Sequence, residues 1–179
     1  TEGVGAGAGI ALFGSLAIVP SYSTEVPSKV VDISDPSSPK VLGEFKTQLG
    51  SHRGATVIAY PTGRLVTVIS TGTGLDVWDI TDPTAPKPLP PIDDIPSHKV
   101  GLVPGTPIIY NARSDGGNGG LVPGPGNADP ALGIGIIDMY DFSDPENPER
   151  LPDFANGYGC HHIYFWNNLQ ENKVRALCA

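Results

Sequence analysis

Basic residues are scarce in this chain. Eleven Lys and Arg stand against nineteen Asp and Glu in 179 residues, for a net charge of −8, and the cations are nowhere clustered. A surface that grips a phosphate backbone or an anionic bilayer needs a positive patch, so nucleic acid is excluded as an expected partner. Long apolar runs are missing too. The most apolar stretch, Gly5 to Pro20, is interrupted by Gly14 and Ser15 and has no basic flank. It falls short of the roughly 20 residues a bilayer helix needs, and it reads as two short strands rather than a membrane span. What is abundant is Gly, with 23 residues, and Pro, with 19. That much chain-turning composition excludes a helical bundle, while 39% hydrophobic content is too high for a disordered chain.

Self-similarity organises the rest. Three segments repeat: VDISDPSSPKVLG from Val31, WDITDPTAPKPL from Trp78 and YDFSDPENPERL from Tyr140. Each carries Asp-x-Ser/Thr-Asp-Pro-x-x-Pro, with Asp32, Asp79 and Asp141 in the first position. The first two copies lie about 47 residues apart, a propeller period, and the second interval is lengthened by a Gly-rich insert at 111–132. The β-forming residues before each motif predict a strand that ends at the Asp. Pro36, Pro83 and Pro145 then stop the strand, with the Ser/Thr and the second Asp capping backbone amides in the turn. Pro39, Pro86 and Pro148 lead into an outer edge strand, where a missing N–H is tolerated.

Upstream of each motif a hairpin is expected, turning at Gly14, at Pro61-Thr62-Gly63 and at Pro104-Gly105. A further hairpin turns within Asn168 to Asn172. Hairpin, motif strand and outer strand make four antiparallel strands, which is one propeller blade. The expected fold is therefore all-β, with blades at 8–48, 49–94 and 95–156 and an incomplete one at 157–179. The unit resembles the LVIVD-repeat family of β-propellers. That resemblance implies a propeller, commonly exported, and carries over no catalytic residue set. A propeller ring closes with about 4 to 8 blades, so an incomplete ring implies remaining blades from the same or another chain as partners.

Cysteine and histidine carry the remaining chemistry. A last hairpin turning around Leu169 sets Cys160 opposite Cys178, within reach of a cross-strand disulfide. An even cysteine count fits an oxidising compartment, extracellular or periplasmic. His52, His98 and His161 each fall about 20 residues after a repeat's first Asp, so they share one repeat position. They open the first strand of successive blades, which lines a propeller's channel, whereas the first blade has Ala8-Gly9 there. Neutral imidazoles from separate blades would bind a transition metal, zinc, copper or iron, with His162 outside the ligand shell. The competing reading is that each His packs against a neighbouring blade.

Other signals are weaker. Asp115, Asn118, Asn127 and Asp129 in the insert offer oxygen ligands to calcium but lack the alternation of an EF-hand loop. Gly72-Thr73-Gly74 lacks the Gly-Lys-Ser/Thr ending of a phosphate loop. Two functional expectations follow. The first is a secreted propeller module for binding or scaffolding. The alternative is a metal-dependent enzyme, an oxidoreductase for example, that uses the His cluster.

Overall fold

A computed structural model of the chain describes residues 9–93, 95, 97–112, 136–155 and 162–178. Every regular element among them is a strand. Two compact units divide the chain, Thr1–Ile95 and Pro96–Ala179.

The first unit holds two four-stranded antiparallel sheets. One runs in the order β1 (Ala11–Phe13), β2 (Leu16–Val19), β3 (Ser28–Asp32), β4 (Lys40–Phe45). The other runs β5 (Ala55–Ala59), β6 (Leu65–Ser70), β7 (Leu75–Asp79), β8 (Lys87–Ile92). The second unit holds a sheet of β9 (Lys99–Leu102), β10 (Ile108–Ala112), β11 (Ile136–Asp141) and β12 (Glu149–Ala155), and a two-stranded sheet of β13 (Ile163–Asn168) and β14 (Lys173–Cys178). Strand order follows chain order throughout, as the blade reading requires. Phe13 pairs with Leu16, which leaves a two-residue turn, and Gly14 supplies the left-handed backbone (φ 56°) that such a turn needs first.

The three motif strands end at Asp32, Asp79 and Asp141. There the chain makes two side-chain-capped turns in succession. Asp32 Oδ1 accepts from the Ser34 amide at 2.8 Å, Asp79 Oδ1 from Thr81 at 2.9 Å and Asp141 Oδ1 from Ser143 at 2.7 Å. The second Asp repeats the device: Asp35 and Asp82 each accept an amide and a hydroxyl from the residue two further on, while Asp144 accepts the Glu146 amide. The repeated acceptors are therefore the two Asp carboxylates; the first-turn Ser/Thr residues donate their amides to the first of them, the Ser143 hydroxyl donates as well, and the Thr81 hydroxyl accepts the Leu65 amide. Each motif strand also meets its outer strand through a register shift, at the same place in the second and third blades, between Leu75 and Val77 and between Ile137 and Met139, and nearer the motif Asp in the first, between Val30 and Val31.

The core of the first unit lies between its two sheets. Ile18, Val30 and Phe45 from one meet Val57, Ile69 and Trp78 from the other, with Ile80 among them. Burying each aliphatic side chain contributes roughly 1.5–3 kcal/mol. Gly43 in β4 permits the close approach. A Cβ there would stand 2.4 Å from the Pro83 carbonyl oxygen and 2.9 Å from Pro86 Cδ, so the outer strand of one sheet lies on the Asp-Pro turn of the next. In the second unit Ala112 and Ile137 form the buried centre, with Tyr110 and Phe165 packed on it at a ring separation of 5.0 Å.

Candidate functional site

The strongest constellation of chemistry-bearing side chains lies inside the first unit. Residues 46–54 carry the chain from β4 to β5, and His52 within them donates its amide to the Ser21 carbonyl at 3.0 Å. Its ring reaches both sheets. Nδ1 lies 2.6 Å from Ser28 Oγ in β3, and Nε2 lies 2.6 Å from Asp76 Oδ2 in β7. Ser28 Oγ also accepts the Ser21 amide at 2.9 Å, which leaves its own proton for Nδ1. Nε2–H then donates to the carboxylate, so the surrounding bonds assign the tautomer. Asp76 Oδ2 further accepts from Thr47 Oγ1 at 2.9 Å and from the Gln48 amide at 2.8 Å, which ties down the connecting segment. Phe45 covers the group, 5.8 Å from the His52 ring and 4.9 Å from Trp78.

Ser, His and Asp in one hydrogen-bonded line invite comparison with a hydrolase triad. In that triad the serine bonds Nε2 and the carboxylate bonds Nδ1, the reverse of the arrangement here. Access decides the matter. Ser28 and His52 are each 1% exposed and Asp76 is 0% exposed, so no substrate reaches the hydroxyl. The constellation is an inter-sheet staple.

This changes the reading of the repeated histidines. His52 spends both ring nitrogens on Ser28 and Asp76 and has no lone pair left for an ion, so it does not fit the expected role of metal ligand. His98 opens β9, donates its amide to the Ala112 carbonyl at 3.0 Å and stacks on His162, with ring centroids 5.5 Å apart. His162, expected outside a ligand shell or turned into the blade, is the stacking partner instead, and Tyr164 Oη lies 3.4 Å from its Nδ1. His161 lies outside the described residues. Among the described residues no three His, Cys, Asp or Glu side chains are grouped to hold a metal ion.

The buried carboxylates were not singled out by sequence. Asp76 and Asp138 each stand three residues before a turn Asp, where the first blade has Lys29. Asp138 is fully buried, accepting from Asn111 Nδ2 and from Arg150 Nη2, both at 3.0 Å. Lys29 pairs with Glu44 at 3.2 Å. An Asp in the middle of an apolar strand, as in Leu75–Asp79, was the available signal. The insert ligands Asp115, Asn118, Asn127 and Asp129 lie outside the described residues, as does Cys160. Cys178 pairs in register with Ile163, so the last hairpin is centred past Leu169, between Gln170 and Glu171.

Residues 29–47, which span β3, its Asp-Pro turn and β4, match the LVIVD repeat. The chain carries an LVIVD repeat. No curated protein matches it significantly in sequence. Among solved structures, Sqt1 of Saccharomyces cerevisiae superposes with a TM-score of 0.63 at 12% identity, over 92% of this chain and 39% of Sqt1. A chain of the nidogen/laminin complex gives 0.56 at 14% identity, over 99% of this chain and 61% of its own. The computationally designed Ika4 protein gives 0.54 at 14%, over 97% and 91%. At such identities the likeness concerns the fold alone, and that fold is the β-propeller. This chain spans less than two thirds of Sqt1 and of the nidogen/laminin chain.

Proposed function

We propose that this LVIVD chain belongs to an exported β-propeller that serves as a binding or scaffold module and packs against further blades of the same or another chain. The observation that carries this is the β13–β14 hairpin. It has the first two strands of a blade, and it exposes Tyr164 and Trp166 on one strand and Val174 and Leu177 on the other. At the start of the first unit, Ile10 just before β1 and Leu12 and Phe13 within it are exposed likewise. Apolar strand faces of this kind are covered in a complete blade stack. The buried Ser28–His52–Asp76 line favours the module over the metal-enzyme alternative, because the residues best suited to chemistry are committed to holding sheets together.

Sedimentation of the isolated 179 residues tests the packing claim. Self-association is expected, and a monodisperse monomer overturns it. Export is supported by the even cysteine count, and β14 brings Cys178 opposite Ile163, three residues along the chain from Cys160. A Cys160–Cys178 disulfide is the expected mark of an oxidising compartment. Mass analysis without reductant should find both thiols blocked; two alkylatable cysteines in the native protein would point back to a reducing one.

A further inference from the structure

The residue that follows each repeat histidine is basic: Arg53, Lys99 and His162. In a chain where acids outnumber bases nineteen to eleven, counter-charges are plentiful, yet among the described residues the first two of these cations pair with no carboxylate. Three basic side chains of the first unit are not fully exposed: Lys29, Arg53 and Arg64. Lys29 pairs with Glu44 and Arg64 with Asp79. Arg53 pairs with no carboxylate among the described residues, and its Nε is buried without a hydrogen-bond partner. A half-sheltered cation with an unused donor is costly, because the group has lost water without gaining an acceptor.

Arg53 Nε is enclosed, but the outer end of the guanidinium is approachable beside Tyr22 and Gly72. Its guanidinium lies 5.9 Å from the ring centre of Tyr22, which is 48% exposed. Gly72 is exposed beside it, and a Cβ there would lie 3.6 Å from Arg53 Nη2, so the absent side chain leaves an approach to the guanidinium. The backbone holds the base of the side chain in place, with the Arg53 amide donating to Ser70 at 2.8 Å. In the second unit Lys99 occupies the equivalent strand-opening position in β9. It is half-sheltered and has no carboxylate partner among the described residues, and desolvation alone pulls its ammonium below the ordinary lysine range.

We propose that the position after the repeat histidine binds an oxyanion, and that in the first unit Arg53 takes a carboxylate or phosphate group against Tyr22 through the opening at Gly72. A planar guanidinium fork matches either group in a two-bond grip. Lys99 offers the point-charge version of the same contact in its own unit. The inference stands on contacts within each unit and does not depend on how the ring is completed.

Calorimetric titration of the protein in its native assembly, at low ionic strength, tests it with two probes, inorganic phosphate and malonate. Saturable binding of one or both is expected, and the stronger probe identifies the group. Arg53→Gln should weaken it by about tenfold or more, since hydrogen bonds to a charged group are lost. Gly72→Asp tests the same site with Arg53 left in place. The new carboxylate should occupy the guanidinium, abolish the Arg53-dependent binding and raise the melting temperature. Absence of saturable binding of either probe to the wild type overturns the proposal. So does unchanged affinity in a folded Gly72→Asp protein.

Discussion

His52 shows what one side chain contributes when both of its ring nitrogens are bonded inside the fold. Truncating it removes the bonds to Ser28 and Asp76 and leaves a buried carboxylate whose Oδ1 is already without a partner among the described residues. His52→Ala should therefore cost about 1.5–3 kcal/mol in urea denaturation, the range for losing a hydrogen bond to a charged group. A loss below about 1 kcal/mol would show that the staple is dispensable. The turn carboxylates act at the same scale through pH. Hydrogen bonds from the residue two further on hold Asp32, Asp35 and Asp82 below the ordinary 3.8, and bonds from Asn147 and Glu146 do so for Asp144. At Asp79, desolvation is the largest single influence and pushes upward, but the bonds from Thr81 and Arg64 together outweigh it. A depressed folded pKa stabilises the fold above the unfolded value and loses that contribution as pH falls through the folded one. Denaturation midpoints should thus hold their carboxylate contribution down to about pH 4 and decline below it. Replacing Asp35, Asp82 and Asp144 together by Asn, which keeps an acceptor and removes the titration, should make that decline shallower.

At the scale of elements, the three blades repeat one construction: a hairpin, a motif strand ended by two capped turns, a register shift and an outer strand. Pro88, Pro90 and Pro91 fall in β8, the outermost strand of its sheet, where an edge tolerates residues without an amide proton. The contact between β4 and the second blade's turn is the element-level joint of the first unit. Gly43→Ala would drive a methyl into the Pro83 carbonyl oxygen, a backbone atom that cannot swing aside. A cost of about 1–3 kcal/mol is expected from such overpacking, read as a lowered thermal midpoint. An unchanged midpoint would mean that β4 does not rest on that turn in solution.

For the whole molecule, the exposed strand faces decide solution behaviour. Trp166 and Leu177 stand on neighbouring strands of the β13–β14 hairpin, 46% and 56% exposed, without the further strands that accompany the other three hairpins. If those faces drive association, Trp166→Lys with Leu177→Lys should shift the isolated chain toward monomer in sedimentation, while its circular dichroism keeps the β-sheet form. Persistence of the same assembly would place the contact elsewhere.

Local chemistry is what the sequence by itself determined. The strand ends at Asp32, Asp79 and Asp141, the capped turns and the hairpin at Gly14 depend on bonds between residues a few positions apart and on backbone preferences of Gly and Pro, so the one-dimensional pattern contains them. The common phase of the histidines was legible for the same reason. Their use was not, because the partners of His52 lie twenty-four residues away on either side, in strands of two different sheets. Likewise the last hairpin's register depended on which residues bridge the turn, and the Asn172 left-handed backbone (φ 50°) helps centre it past Leu169. Only the packing of one sheet on another brought Ser28 and Asp76 to the two nitrogens of one imidazole, and that burial made a structural staple of a residue whose type and spacing suggested a metal ligand.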